Sequence, residues 1–201
     1  MNMSNIDATI QYYNQNAKDF YTDTVSGDMS TLLDRFLSYL EENAYILDFG
    51  CGSGRDTKYF LEKGYLLDAV DGSAEMCRIA SGLTGIEVRH MYFHELEEKD
   101  KYDGIWACAS ILHVPYESMV AILQKLYEAL KDDGVLYLSF KYGDFEGMRN
   151  GRWFTNMNED RINRLLCDVP LFVVMEMWTT QDVRPDRKDE KWLNCILKKR
   201  K

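Results

Sequence analysis

Three glycines at alternate positions, with an aspartate further along the chain, are the residues of this sequence best suited to bind a ligand. Gly50, Gly52 and Gly54 follow the short apolar run at residues 45–49, and Asp71 ends a second apolar run. Glycines let the main chain turn tightly and approach a ligand without an intervening Cβ. An acid about twenty residues after such a loop can accept hydrogen bonds from both ribose hydroxyls. The spacing predicts half of a nucleoside-binding site.

The spacing of the glycines narrows the choice of ligand. A dinucleotide loop reads G-x-G-x-x-G, whereas this chain reads G-x-G-x-G. The phosphate-binding run G-x-x-x-x-G-K-[ST] does not occur in the sequence. Asp71 suits NAD and any other adenosine-bearing cofactor equally well, so the acid alone does not separate them.

Further motifs follow in order along the chain. The loop DFGCGSG with Asp71 resembles the first two motifs of class I S-adenosylmethionine-dependent methyltransferases. Residues 102–109 (YDGIWACA) and 110–114 (SILHV) resemble the fourth strand of that family and the loop after it. Residues 126–140 (LYEALKDDGVLYLSF) resemble the helix, glycine turn and fifth strand that come next. The resemblance covers most of residues 45–140.

The resemblance implies S-adenosylmethionine as the cofactor and assigns most of its binding site to the loops after the strands. Residues of the glycine loop would hold the methionine part, Asp71 would hold the ribose, and Phe93 and His94 would border the adenine. Met76 could cover the adenine face or simply fill the core. The predicted cofactor-binding residues are Tyr13, Tyr21, Asp48, Gly50, Cys51, Gly52, Ser53, Gly54, Arg55, Asp71, Gly72, Ser73, Met76, Phe93, His94 and Ala109.

His113 is the candidate catalytic residue because it follows the predicted fourth strand, at the mouth of the site. A neutral imidazole there could take a proton from a nucleophile, or could instead hydrogen-bond a loop backbone. His90 and His94 are four residues apart but fall in or after a predicted strand, where they would not converge. No metal site is therefore predicted.

Residues 141–157 carry the signals for substrate binding. Three glycines indicate a mobile segment over the cleft, while two arginines beside aromatic residues could pair with an anionic substrate or with the cofactor carboxylate. The aromatic residues could equally anchor the segment to the core. The predicted substrate-binding residues are His113, Lys141, Tyr142, Arg149, Arg152 and Trp153.

The elements that must position these residues alternate between strand and helix. The pattern predicts an α/β fold, a Rossmann-like doubly wound and mostly parallel seven-stranded sheet with the last strand antiparallel and helices on both faces. We expect one domain over residues 1–201. It would comprise an N-terminal helical cap at 1–43, a cofactor-binding core at 44–140, and a substrate-side loop with C-terminal strands at 141–201.

Composition limits the partners. The net charge is −9, with a basic cluster only at residues 198–201, and this balance argues against a nucleic-acid partner. No run of about eighteen apolar residues occurs, so no membrane span is expected. Five cysteines without a C-x-x-C pair, and no evident secretory signal, favour reduced thiols in a cytoplasm. Monomer and homodimer both stay open.

The resemblance implies a methyltransferase that works by in-line displacement, and the charge balance favours a small-molecule acceptor. The short chain is similar to tellurite-resistance-type and other small-molecule methyltransferases. The alternative is a non-catalytic protein of the same fold that binds S-adenosylmethionine as a sensor or holds a partner protein. An NAD-dependent dehydrogenase is a more distant alternative.

Overall fold

The computed structural model of the chain describes residues 3–184 and 187–201 and is built around one seven-stranded sheet. The order of strands across this sheet is β3-β2-β1-β4-β5-β9-β8. Two further strands, β6 and β7, form a separate hairpin. The strands are β1 Tyr45–Phe49, β2 Leu66–Asp71, β3 Val88–His90, β4 Tyr102–Ala107, β5 Leu130–Lys141, β6 Glu146–Arg149, β7 Arg152–Thr155, β8 Phe172–Gln181 and β9 Lys191–Lys199.

The direction of the strands confirms the predicted fold class. Strands β1 to β5 pair with one another in parallel, whereas β9 runs antiparallel to both β5 and β8. The order reverses between β1 and β4, and in open α/β sheets ligands bind at the carboxyl ends of the strands beside such a reversal. The topology therefore points to the same place as the glycine loop.

Within the described residues, six α-helices cover the sheet. They are α1 Met3–Thr24, α2 Ser30–Leu37, α3 Arg55–Glu62, α4 Ala74–Thr84, α5 Tyr116–Ala129 and α6 Glu159–Asp168. Helix α4 begins at a Ser73 cap whose hydroxyl accepts from the Met76 amide, and α6 begins at an Asn158 cap. The first two residues of the predicted N-terminal cap lie outside the described residues. None of the described helices is both long and apolar enough to cross a membrane.

Apolar side chains pack against both faces of the sheet. Adjacent residues of β4 point to opposite faces, so Ile105 joins the core under α5 and α6 while Trp106 joins the core under α2 and α3. The Trp106 ring stacks on Tyr137 with centroids 3.8 Å apart, and its Nε1 donates to the buried carboxylate of Asp56 at 2.9 Å. This pairing satisfies the indole N–H in the core and fixes the position of α3 against the sheet.

The segment predicted as a mobile loop over residues 141–157 contains the β6–β7 hairpin instead. Its turn is Asn150-Gly151, and both residues have positive φ angles, 50° and 78°. Two-residue turns with positive φ at both positions match the twist of a hairpin, and Asn-Gly is their preferred sequence. The three glycines that suggested mobility are therefore part of an ordered strand pair and its connections.

Candidate active site

A cavity of about 240 Å³ opens at the carboxyl ends of β1, β2 and β4, where the order of strands reverses. Helix α1 and the β6–β7 hairpin cover one side, and the β8–β9 connection covers another. The backbone amide of Trp153 in the hairpin donates to the Thr9 hydroxyl of α1 at 2.9 Å, which joins the two covering elements. The cavity is thus walled by segments from the first helix of the chain to its last strand.

The glycine loop after β1 brings its main chain against the cavity. Gly50 has a φ of +88°, and a Cβ at this position would lie 2.5 Å from the Cβ of Ser110. The amides of Gly50 and Cys51 both donate to the Val70 carbonyl, at 2.9 and 3.0 Å. Since these two amides already have acceptors, Gly50 and Cys51 offer a ligand close approach to the main chain rather than free donors.

Asp71 fixes the loop from the end of β2. One oxygen of its carboxylate accepts from the Gly52 amide at 2.9 Å and the other accepts from the Ser73 amide at 2.8 Å. Burial raises the pKa of Asp71, while the Ser73 and Gly52 amides oppose the rise. Each carboxylate oxygen keeps a second acceptor site, so Asp71 can bind the loop and a diol at the same time.

Asp48, at the end of β1, is a second buried acid beside the loop. Burial, reinforced by the nearby Asp56 carboxylate, raises the pKa of Asp48 to about 8. The Thr57 hydroxyl of α3 donates to the Asp48 carboxylate and favours its charged form. A cationic group on a ligand would favour that charged form further, because opposite charges stabilise each other in a buried site.

A series of hydrogen bonds links His113, Tyr13 and Arg152 in the cavity wall beside α1 and the β6–β7 hairpin. His113 Nδ1 lies 2.5 Å from the Trp153 carbonyl oxygen, which can only accept, so Nδ1 carries the proton. The other ring nitrogen, Nε2, then accepts from the Tyr13 hydroxyl at 2.9 Å. Arg152 Nη1 donates to the Tyr13 oxygen at 3.4 Å. Tyr13 is therefore oriented from both sides, by a cation and by an imidazole.

The imidazole of His113 is held in its neutral form. Burial lowers the pKa of His113 to about 4, and the positive charges of Arg152 and Lys141 act in the same direction, against the hydrogen bond to Trp153. Burial also raises the pKa of Tyr13, although Arg152 opposes this. At neutral pH both side chains are uncharged, and Arg152 is the cation of this group.

The loop after β4 contributes Ala109 and Ser110 to the cavity wall. Ala109 has a φ of +50°, a left-handed conformation that costs a non-glycine residue about 1–2 kcal/mol. Its amide donates to the Ser139 hydroxyl at 2.8 Å, which holds this conformation in place. The hydroxyl of Ser110 is buried and has no partner among the described residues. A buried hydroxyl of this kind is ready to hydrogen-bond a ligand.

Most of the predicted site residues line the cavity. Those from the cofactor set are Tyr13, Asp48, Gly50, Cys51, Gly52, Ser53, Arg55, Asp71, Gly72, Met76, Phe93, His94 and Ala109. Those from the substrate set are His113, Lys141 and Arg152. The structure thus brings together loops that lie far apart along the sequence.

Six predicted residues are not among those that line it. Gly54 packs against Ala80 at the start of α3, and Ser73 caps α4. Phe20 rather than Tyr21 lines the cavity from α1. Tyr142 and Arg149 line a separate depression. Trp153 donates through Nε1 to the Thr155 hydroxyl, which suits the anchoring role that its sequence position also allowed.

The cavity also includes residues that the sequence did not single out. They come from α1 and its approach to α2, from the strand ends, and from the β8–β9 connection, and include Ile6, Thr9, Ile10, Phe20, Thr24, Met29, Leu32, Asp56, Tyr92, Cys108, Ser110, Tyr137, Ser139, Thr180, Asp182, Trp192 and Asn194. Ile6 and Ile10, which are four residues apart on α1, have the helical spacing of an ordinary core face. Nothing in that spacing separates a cavity wall from a core.

Metal ligands do not gather in the described part of the chain. No group of three or more His, Cys, Asp or Glu side chains there is placed to hold an ion. The five cysteines are all free thiols, and burial raises the pKa of Cys108, which lines the cavity, to about 12. Cys108 is therefore a neutral thiol at physiological pH.

The topology and the site together define a class of protein. A doubly wound, mostly parallel sheet with a glycine loop after β1 and an acid after β2 is a Rossmann-like nucleoside-binding domain. Residues 21–170 of the 201 match the family model described as a methyltransferase domain. The chain belongs to this methyltransferase family.

Individual relatives agree with the family. An uncharacterised methyltransferase of Staphylococcus carnosus is 27% identical over 155 residues, which cover 70% of this chain and 75% of that protein. The 1,6-didemethyltoxoflavin-N1-methyltransferase of Burkholderia thailandensis, solved with 1,6-didemethyltoxoflavin and S-adenosylhomocysteine, superposes with a TM-score of 0.75 at 23% identity, over 95% of this chain and 85% of that one. The [4+2]-cyclase SpnF superposes with a TM-score of 0.72 at 13% identity, over 94% of each chain. The two structural likenesses show a shared fold.

Proposed function

We propose that this protein transfers the methyl group of S-adenosylmethionine to a small-molecule acceptor. The observation that carries the proposal is one cavity with two chemically different ends. The glycine loop and Asp71 form one end, while Tyr13, His113 and Arg152 form the other. A donor bound at the first end would present its reactive methyl toward the second.

The first end fits the adenosyl part of the donor. The absence of a Cβ at Gly50 leaves room for a ligand against the main chain, and Asp71 keeps acceptor sites for the ribose hydroxyls. The half-buried Phe93 and His94 would border the adenine. Asp48 would accept from the ammonium group of the donor, whose charge would lower the pKa of this acid. Cys51 and Ser53 would contact the methionine part through the loop.

The chemistry requires positioning more than acid or base. When bound, S-adenosylmethionine supplies an electrophilic methyl on a sulfonium, and the acceptor's lone pair forms the new bond as the S–C pair returns to sulfur. The protein must hold the acceptor in line and exclude water. Ala109 and Ser110, which follow β4, would border the transferring methyl.

A proton released by the acceptor has a route out through Tyr13. Both ring nitrogens of His113 are engaged within the protein, so we propose that His113 acts through Tyr13 rather than on the acceptor itself. The acceptor's proton would pass to the Tyr13 oxygen as the Tyr13 proton passes to His113 Nε2. The low pKa of His113 suits this route only after methyl transfer has made the acceptor strongly acidic.

A transfer assay tests the function directly. Protein is incubated with S-adenosylmethionine labelled in the methyl group and with pooled metabolites, and labelled products are separated and counted. We expect label in at least one small molecule. Persistent absence of transfer, with S-adenosylhomocysteine still bound, would favour a non-catalytic sensor of the same fold. Tellurite and selenite should be included, because the resemblance to tellurite-resistance-type enzymes stays a prediction.

Asp71 provides a test of the donor site. Asp71→Asn should weaken binding of adenosine by roughly 1–3 kcal/mol, because one oxygen that accepts from the ribose becomes a donor. The same substitution should change the affinity for 2′,3′-dideoxyadenosine much less, since that ligand lacks both hydroxyls. Calorimetry with the two nucleosides separates loss of ribose contacts from distortion of the loop. Equal losses for both would place the ribose elsewhere.

A further inference from the structure

Arg152 is a cation in the wall of the cavity, and no described acid balances its charge. No ion pair among the described residues includes it, and its Nε is buried without a hydrogen-bond partner there. Its guanidinium lies 4.4 Å from the ring centroid of Tyr12 and 5.2 Å from that of Phe154. The hydrogen bond that it donates to Tyr13 is long, at 3.4 Å.

Arg152 as a whole is half-buried, so its charge is only partly removed from water. Aromatic faces offset some of the cost of that partial burial, but a cation in a cavity wall normally also has a carboxylate or several hydrogen-bond acceptors. A guanidinium carries five N–H donors in a planar fork that matches a carboxylate. Lys141, the other cationic group near His113, is already paired with Glu190. An unbalanced positive charge at the cavity calls for a negative charge in the ligand.

The donor and the acceptor could each supply a carboxylate, and the position of Arg152 favours the acceptor. Arg152 contacts Tyr13, which is bonded to His113 after β4, and none of these contacts is with the glycine loop after β1. The arginine nearest the glycine loop is Arg55, which donates to Asp56 and to the Thr24 carbonyl. We propose that Arg152 binds the carboxylate of the methyl acceptor, and that the acceptor is therefore a small carboxylic acid. This inference rests on the proposed function.

The hairpin supplies a matched control. Arg149 is the register partner of Arg152 across the Asn150-Gly151 turn, but it is exposed and does not line the cavity. Its guanidinium lies 4.1 Å from the Phe145 ring. Arg149→Gln removes the same charge from the same hairpin, so a difference between it and Arg152→Gln reports on the cavity rather than on the hairpin.

The first measurement tests whether Arg152 binds the carboxylate of the donor instead of that of the acceptor. Dissociation constants are measured for S-adenosylhomocysteine and for 5′-methylthioadenosine, which has the same nucleoside but no amino-acid carboxylate. We expect both constants to stay within about twofold in Arg152→Gln and in Arg149→Gln. If Arg152→Gln weakens binding of S-adenosylhomocysteine tenfold or more and spares 5′-methylthioadenosine, Arg152 holds the donor and the proposal is overturned.

The second measurement identifies the charge of the acceptor. A small-molecule extract is separated by anion exchange into acidic and non-acidic fractions, and each is tested for transfer from labelled S-adenosylmethionine. We expect transfer in the acidic fraction, with KM raised at least tenfold in Arg152→Gln and unchanged in Arg149→Gln. Arg152→Lys keeps the charge but loses the fork, so it should fall between them. If Arg152→Gln does not fold, Arg152→Lys against Arg149→Lys provides the same comparison.

The outcomes separate two failures. Transfer confined to the non-acidic fraction, or an acidic acceptor whose KM is indifferent to Arg152, overturns the carboxylate proposal and leaves the methyltransferase intact. Absence of transfer from every fraction by the wild-type protein overturns the proposed function, and the acceptor proposal with it.

Discussion

At the scale of single residues, Tyr13 links the groups at the end of the cavity that we propose for the acceptor. Its hydroxyl has one proton, and the lone pair of His113 receives it. Its oxygen is thereby left as an acceptor that Arg152 can approach. The direction of this chain follows from the Trp153 carbonyl, which cannot donate and so fixes the tautomer of His113. One backbone carbonyl thus sets the direction of the hydrogen bonds among the His113, Tyr13 and Arg152 side chains.

His113 should make the fold sensitive to acid. Its pKa is about 4 in the folded protein, against an ordinary value of 6.5, so between these values the unfolded chain binds a proton that the folded chain does not. The free energy of unfolding therefore falls as the pH falls from about 6.5 to 4, by up to roughly 3 kcal/mol from this group. His113→Gln should lose that part of the pH dependence. Urea denaturation at several pH values measures it.

The comparison needs a second histidine as control. His94 stacks on Tyr92 at the rim of the cavity, with ring centroids 5.7 Å apart. His94→Gln removes an imidazole from the rim, so a slope lost only in His113→Gln is assigned to His113. If the slope of His113→Gln equals that of the wild type, His113 is protonated as easily in the folded chain as in the unfolded one, and the neutral imidazole inferred for the folded protein is wrong.

At the scale of elements, the turn from β1 into α3 depends on a glycine for its conformation and for its packing. Gly50→Ala should lower the free energy of unfolding by roughly 2–5 kcal/mol, because it adds left-handed strain and a contact with Ser110 at 2.5 Å. Gly85 also has a positive φ, 78°, but a Cβ there would have no neighbour within 4 Å among the described residues. Gly85→Ala should therefore cost only about 1–2 kcal/mol. Urea denaturation of the two variants measures the difference.

A second readout connects the loop to binding. Gly50→Ala should also weaken binding of S-adenosylhomocysteine, because moving Ser110 away from the new methyl group displaces the wall of the cavity, whereas Gly85→Ala should bind normally. Equal stability losses in the two variants would show that the close approach of Gly50 to Ser110 has no energetic weight.

The parallel half of the fold and the donor end of the site follow from the sequence. Strands β1 and β2 are short and mostly apolar; Gly50 follows β1 and Asp71 ends β2, and parallel strands place those ends at one edge of the sheet. Asp71 and the glycine loop had to meet there, because β1 and β2 are neighbours in register. The spacing of local motifs is sufficient for this half.

The acceptor end could not be predicted in the same way. Arg149 and Arg152 lie directly opposite each other across the turn, and only the docking of the hairpin leaves Arg152 at the cavity and Arg149 outside it. Asn150-Gly151 is a preferred sequence for that turn, so the hairpin itself could be predicted from the sequence. Its docking against α1 was not, since the bond between Trp153 and Thr9 joins residues 144 apart.

At the scale of the whole molecule, lysines at the basic end of the chain pair with acids on the domain surface. Lys198 and Lys201 both pair with Asp133, and Lys199 pairs with Asp100. The three lysines of the basic cluster therefore have acidic partners, and Asp133 pairs with two of them, in a chain whose net charge is −9. A phosphate backbone would meet lysines that are already paired at this end, which supports a small acceptor over a nucleic acid.

The last strand also ties the C-terminal segment to the core. Strand β9 lies between β5 and β8, and its residues Leu193, Cys195, Ile196 and Leu197 are fully buried. Without β9, the central strand β5 would become an edge with its apolar faces in water. We therefore propose that residues 1–201 unfold as one domain, in which the cap, the core and the C-terminal strands are not separable.

Ile196 tests this proposal. Its side chain packs in the core cluster of Trp106 and Tyr137, so Ile196→Ala should lower the free energy of unfolding by about 2–5 kcal/mol. The loss should shift far-UV circular dichroism and tryptophan fluorescence to the same lower urea midpoint, because the helices and all parts of the sheet unfold together. Val173→Ala, at an exposed position of β8, should change stability by about 0.5 kcal/mol or less. A fluorescence transition that shifts while the circular dichroism transition stays in place would show that the C-terminal strands unfold separately from the nucleoside-binding core.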